Sequence, residues 1–298
     1  MGGLNALTFD VEDYFHVSAF RSRVPIAAWG QHESRVERNT NKVLDILCTA
    51  GVRATFFVLG WVAERNPRVV KAIHQAGHEV SCHSYTHDML TELNPEKFRE
   101  DIRRSKAILE DLTGAQVLGY RAPSFTIVKD TMWALPILVE EGFYYDSSIF
   151  PIRHDRYGMR DANPLCHRLS TNTGFLWEVP PTTVKLGPVR LPIAGGGYLR
   201  FFPYRILHRL LRHVERQGTP LVMYLHPWEL DPDQPRISAS RLSRFRHYNN
   251  LDKTEGRLIK LLRDFRFGPI CEAIKPIAEL VKVMPLGIER CGNALVRG

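Results

Sequence analysis

The sequence has too few cysteines, too far apart, for a disulfide scaffold or a thiolate zinc site. Five are spread over 298 residues, at positions 48, 82, 166, 271 and 291, with no Cys-x-x-Cys pair. An odd, dispersed set of this kind fits a reducing compartment. No run of about 18 apolar residues is present, so no hydrophobic spanning helix is expected. The opening MGGLNALTFD lacks the basic and apolar regions of a secretory signal, and Ala6 stands where a myristoylation signal takes Ser or Thr. The expected location is cytoplasmic. Acid is in short supply: 32 Asp and Glu face 40 Lys and Arg, a formal charge of +8. That balance suits an anionic polymer or a membrane surface. The arginines are scattered, however, and no nucleic-acid motif occurs, so no nucleic acid partner is expected.

What is present is alternation. Leu4 to Phe9, VRATFFVLG (52–60), HEVSCHS (78–84), VLGYRAPS, YYDSS and PLVMYLHPWE (220–229) read as strands. Between them NPRVVKAIHQAG, NPEKFREDIRRSKAILEDLTG (94–114), KDTMWALPILVEEGF and PYRILHRLLRHVERQG (203–218) read as helices, with Pro near the start or Gly at the end of several. Strand–helix alternation predicts an α/β fold with parallel strands and crossover helices. Residues 150–200 break the pattern and read as an elaboration over one face, with LWEVPPTTV as a strand and IAGGGYLR as a glycine turn. The segment from about 268 to 298 reads as a basic amphipathic tail.

Polar residues gather where strands end. FDVEDYFHV places Asp10, Glu12, Asp13 and His16 after an apolar strand, a poor way to build a core. HSYTH puts His83 and His87 four apart, a spacing at which two imidazoles meet one metal ion. A strand-end carboxylate would complete a hydrolytic His₂-carboxylate site. Strand period directs Asp10 and Glu12 the same way, and a turn at Asp10 would bring in Asp13 instead. Further strand ends carry YRAPSF (120–125), YDSSIF (145–150) and YLHPWE (224–229). In an α/β barrel the C-terminal ends of all strands share one face, so these five motifs would form one pocket.

With these motifs in order, residues 4–230 resemble the polysaccharide deacetylases of the NodB-homology type, carbohydrate esterase family 4. TFDVED stands where that family has TFDD, HSYTH matches its H-[ST]-x-x-H, RAPSF its R-x-P, DSSIF its D-S-x-x-W and LHPW its L-x-H. The spellings DVEDYF, YDSSIFP, GGGYLR, HPWE and FRHYNNLDKT are similar to the subgroup found beside exosortase and exopolysaccharide loci. There an extension follows His226, which takes the resemblance to about Phe267. The resemblance implies one domain over 1–267, a distorted (β/α) barrel of about seven strands with a family-specific C-terminal extension from about 230.

It also implies a site. His83 and His87 would bind one divalent metal ion, zinc, with Glu12 or Asp13 as third ligand and Glu12 favoured by strand period. Asp10 would be the general base, Arg121 would pair with it, and His226 would be the general acid, oriented by Asp146. A backbone N–H near Ser124 or Phe125 would bind the oxyanion. Tyr198 and Arg200 would reach sugar groups, and Trp228 would stack on a pyranose ring or wall the pocket. The implied activity is metal-dependent removal of N-acetyl groups from an amino-sugar polysaccharide or its precursor, in exopolysaccharide production. Hydrolysis of another amide (formamide, imide or ureide) and a silent glycan-binding role are the alternatives. With an N-acetylated glycan as partner and no export signal, the protein would act in the cytoplasm or at the inner membrane face, which the tail would contact.

Overall fold

The computed structural model describes residues 3–154 and 157–283. Its strands are β1 (Asn5–Val11), β2 (Thr55–Val58), β3 (Glu79–Cys82), β4 (Gly119–Tyr120), β5 (Tyr145–Asp146), β6 (His167–Thr171), β7 (Gly174–Glu178), β8 (Thr183–Leu186), β9 (Val189–Pro192), β10 (Val222–Leu225) and β11 (Phe267–Gly268). The main sheet runs β10-β1-β2-β3-β4-β5-β7-β6, and β11 also pairs with β1. From β10 to β7 every pairing is parallel; only β6 runs antiparallel, on β7. The fold is thus mixed α/β with parallel strands, as the alternation predicts, and a distorted barrel, as the resemblance implies, whose ladder does not close. Between β7 and β10 the gap is bridged by Thr182 N–H to Val222 O (3.1 Å) and Tyr224 N–H to Ala194 O (3.0 Å). The β8–β9 hairpin is part of the connection that fills this gap. The expected strand LWEVPPTTV is split in two, because Pro180 and Pro181 have no N–H for a ladder.

The long helix spans Pro95–Thr113. Asn94 caps it by accepting from Lys97 N–H (2.9 Å), and Gly114, at φ 68°, ends it in the left-handed conformation. Strand period divides the core. Leu7, Phe9, Val11, Phe56 and Val58 pack outward in the main apolar cluster, while Ala6 and Phe57 belong to a smaller one. The remaining inward positions of β1, Thr8 and Asp10, are polar and buried, which gives the barrel a polar upper interior above an apolar floor.

Residues 268–283, expected as the beginning of a tail, instead complete that floor. The helices Ile270–Ala273 and Lys275–Val283 carry Ile270 and Ile277, both fully buried. The first of them is fastened through its N–H groups: Ile270 donates to Thr55 Oγ1 (2.8 Å) and Cys271 to Glu79 Oε2 (3.1 Å). Tyr145 OH donates to the other Glu79 oxygen (2.9 Å). The rest of the expected tail, 284–298, lies outside the described residues. Among the described residues no helix is long and apolar enough to cross a membrane.

Gly119 is where this interior tolerates no side chain. A Cβ there would lie 2.0 Å from Cζ of Tyr145, a ring whose hydroxyl is tied to Glu79 and Ser81 (both 2.9 Å) and cannot swing aside. Gly119→Ala should lower stability by about 1–3 kcal/mol, the range for overpacking, read as a reduced urea midpoint with unchanged m-value.

Candidate metal centre and active site

β1 delivers Glu12 and β3 delivers the histidines. Beyond Cys82 the chain does not continue into a helical turn; it bends at Ser84, which takes φ 65°. That unfavourable conformation is over-determined. Ser84 O accepts from Gly60 N–H (2.8 Å) and Ser105 Oγ (3.0 Å), and Ser84 Oγ pairs with Tyr120 OH (2.8 Å). The bend brings donor atoms of Glu12, His83 and His87 within 4.8 Å of one another, all buried. His83 Nδ1 donates to Arg121 O (2.7 Å), and His87 Nδ1 lies 3.3 Å from Ser18 Oγ. Fixing the far nitrogen in this way is how a protein aims the near one.

These residues fit a metal ion. Burial first, then the neighbouring histidines, hold His87 well below the usual imidazole range, and burial lowers His83 to about 4. A neutral His87 that gives Nδ1–H to Ser18 presents the lone pair of Nε2 to Glu12. The two acceptors are 3.0 Å apart, and Glu12 Oε2 has no hydrogen-bond donor. Burial raises Glu12 to about 7, against the lowering effects of His226 and a bond from Trp228. Two imidazoles and a buried carboxylate turned on one another form a donor set suited to a cation.

Next to this cluster lies an ion pair with no exposed surface on its cationic side. Arg121 Nη1 donates to Asp10 Oδ1 (2.6 Å) and Thr8 Oγ1 (2.7 Å), and Nη2 donates to Ser147 Oγ (2.9 Å). Its Cζ is 4.1 Å from the centroid of the Phe57 ring. His226, at the end of β10, directs Nε2 at Glu12 Oε1 (3.4 Å) and Asp10 Oδ2 (3.9 Å). Burial disfavours its charge, but the bond to Glu229 and the charges of Glu12 and Asp10 prevail and raise it to about 9. At neutral pH this imidazole holds a proton it can give.

Several expected roles are corrected. Asp13 does not face the cluster: its carboxylate accepts from Ser34 Oγ (2.7 Å), Arg35 N–H (3.0 and 3.1 Å) and Val36 N–H (3.2 Å). It satisfies the open N–H groups at the start of helix Val36–Ala50. Asp146 makes no ion pair with His226; it bonds Ser148 through side chain and backbone and shares a hydrogen bond with the buried Glu178 across the β5–β7 ladder. Burial raises both acids, Glu178 strongly. Arg200 reaches no open surface: it is 2 % exposed and bound to Glu229. Trp228 is buried too, stacked between His226 (5.1 Å) and His247 (4.1 Å), and its Nε1–H donates to Glu12 Oε1 (3.2 Å). Phe125 is buried and its N–H is engaged by Ala122 O (3.0 Å), which leaves Ser124 of the expected oxyanion pair. Tyr198 is half-buried, with its hydroxyl bonded by Tyr157. His16 lies in the loop that follows β1 and is buried there in an aromatic cage with Phe15, Trp29 and Trp61.

Two contributors were missed. Ser18, which supports His87, has no sequence signal. Glu229 had one: it follows His226 by three residues, the spacing at which a side chain reaches back to the start of a helical turn. Burial opposes its charge, but Arg200 and His226 hold it down at about 2.

The profile described as polysaccharide deacetylase matches residues 6–136, and one described as a domain of unknown function, DUF3473, matches 147–275. The chain is 30% identical over 154 residues to the peptidoglycan deacetylase-like protein FGM2 of Gibberella zeae, covering 51% of this chain and 45% of that protein. It is 38% identical over 96 residues to a peptidoglycan-N-acetylglucosamine deacetylase of Bacillus cereus, covering 32% and 35%. The chain thus spans less than half the length of these curated relatives. A crystal structure from Mycobacterium smegmatis, assigned to the polysaccharide deacetylases, superposes with a TM-score of 0.62 at 20% identity over 96% of this chain and 93% of that one. At that identity the likeness shows the fold.

The placement of Asp13 and His87 separates stability from metal binding. Asp13→Ala should cost about 1–2 kcal/mol, as loss of a helix cap does, and leave bound metal stoichiometric. His87→Ala should abolish stoichiometric metal while the fold, followed by circular dichroism, persists. Elemental analysis of the two purified variants checks both.

Proposed function

Since the chain carries a polysaccharide deacetylase domain over residues 6–136, we propose that it is a metal-dependent hydrolase that removes N-acetyl groups from an amino-sugar glycan. The observation that carries this reading is the meeting of Asp10, paired with Arg121, and proton-bearing His226 beside the Glu12, His83 and His87 cluster. Amide hydrolysis needs an activated nucleophile, a polarised carbonyl and a proton for the departing nitrogen.

Glu12, His83 and His87 would hold the ion, and a carboxylate with two imidazoles suits zinc. When bound, the ion supplies a Lewis acid for the acyl oxygen and acidifies the attacking water. Asp10 takes the proton from that water. Arg121 holds Asp10 aimed, since the Nη1 that donates to Asp10 is also anchored on Thr8 and Nη2 is anchored on Ser147. Ser124, half-exposed on the rim with its Oγ 2.7 Å from Ser18 Oγ, offers its amide to the oxyanion. His226 delivers the proton from Nε2 to the leaving amine.

An exopolysaccharide or its precursor is the proposed substrate, supported by the variant motif spellings and the basic charge. The proposed place of action is the cytoplasm or inner membrane face, with contact made by 284–298. Loss of membrane fractionation on deleting 284–298 supports that contact, and unchanged fractionation rejects it.

Acetate release from partly acetylated amino-sugar oligomers tests the activity, with chelation and zinc add-back. Release should vanish with chelator and return with zinc. Asp10→Asn and His226→Ala should each reduce kcat by about 10²-fold or more with the fold retained. Absence of release with stoichiometric metal would turn the reading toward another amide, and absence of both toward a silent glycan binder.

A further inference from the structure

Two stretches that the reaction leaves without a role, the glycine turn 195–197 and the Trp-Glu after His226-Pro227, meet in one buried carboxylate. Oε2 of Glu229 accepts from His226 N–H (3.0 Å) and lies 3.3 Å from His226 Nδ1. Oε1 accepts from Arg200 through Nε (3.1 Å) and Nη2 (2.9 Å). Arg200 is fixed in turn, with Nη1 on the carbonyls of His247 (2.9 Å) and Asn249 (2.8 Å) and Nη2 on that of Arg246 (3.3 Å). Gly196 forms the wall behind the carboxylate: a Cβ there would lie 1.9 Å from Glu229 Oε2. The Trp228 indole covers one face of the His226 ring, 5.1 Å between centroids and 25° from parallel.

We propose that Glu229, locked by Arg200, is the positioning residue of His226. It accepts the proton on Nδ1, so that Nε2, the nitrogen directed at Asp10 and Glu12, is the one that exchanges protons with substrate. The role deepens the proposed deacetylase reading and rests on it. A group that orients an imidazole through its far nitrogen selects which nitrogen is reactive; replacing the carboxylate by an amide leaves the shape but presents the wrong tautomer. Asp146, to which the family resemblance assigns this role, is occupied by hydrogen bonds with Ser148 and Glu178. The orienting acid has moved from the end of β5 to the turn that follows His226 itself.

A purely structural Arg200–Glu229 pair, tying the helices Gly196–Phe201 and Arg241–Tyr248 together, makes a different prediction. It would affect stability and leave the imidazole unchanged. The distinguishing measurement is proton NMR of the full chain, zinc-loaded and labelled with ¹⁵N-histidine, with His226→Gln used for assignment. Wild type should show a far-downfield proton on Nδ1 of His226, and Glu229→Gln should lose it. In the acetate assay Glu229→Gln should lower kcat about 10²-fold or more, with KM within threefold and metal content unchanged. A His226 ring without a protonated, hydrogen-bonded Nδ1 in wild type overturns the proposal and needs no variant to fold. So does a Glu229→Gln enzyme that keeps kcat within threefold. If zinc-loaded wild type releases no acetate, the deacetylase reading fails by itself, while the NMR signal still reports whether Glu229 holds His226.

Discussion

A guanidinium with no contact to water lies across the upper barrel, and the site is assembled around it. Arg121 comes from the end of β4, binds Asp10 and Thr8 of β1, and binds Ser147 just beyond β5. Its own carbonyl receives Nδ1–H of His83 from the end of β3. Four strand ends are thereby referenced to one residue. Burying a guanidinium is costly unless every donor is met and a counter-charge is close. Asp10 supplies the charge, the hydroxyls and carbonyl supply acceptors, and the Phe57 ring supplies a polarisable face. A carboxylate held this rigidly keeps a fixed direction, which a base requires.

The remainder of the barrel protects that arrangement. Its interior is polar at the top and apolar at the floor, a gradient unsustainable if the floor were open to water. The C-terminal helices Ile270–Ala273 and Lys275–Val283 close it, fastened by Thr55 and Glu79. At the top the same logic applies to the metal-binding side chains. Trp228 donates to Glu12, Ser18 stands at His87, and Arg121 receives from His83, so each of the three is aimed by a neighbour from elsewhere in the chain. Arg200, expected to reach sugar groups, and Trp228, expected to stack on a pyranose or wall the pocket, are both parts of this inner support.

The three acids of DVED illustrate how far local pattern reaches. Strand alternation put Asp10 and Glu12 on one side and left Asp13 on the other, and β1 keeps its parallel register with β2 through Val11. What parity does not carry is the destination of Asp13, the start of helix Val36–Ala50 more than twenty residues on. The histidine pair was legible from spacing, although the turn joining them is an irregular bend held by Gly60, Ser105 and Tyr120 and not a helical one. Asp146 shows the reverse case. It occupies the expected motif position, yet Ser148 of the same motif and Glu178 of β7, which lies outside it, claim its carboxylate.

The sequence by itself determined the parallel α/β order and the strand-end position of the polar motifs. These follow from periodicities of two and 3.6 residues and from chain punctuation, all short-range. Tertiary structure alone decided which acid orients His226, which aromatic supports Glu12, how the barrel is closed at its floor, and that Arg200 points inward. Each of those depends on which distant side chain reaches a buried polar atom first. In a dry interior a polar atom must find a partner, and only the packed fold says which one is within reach.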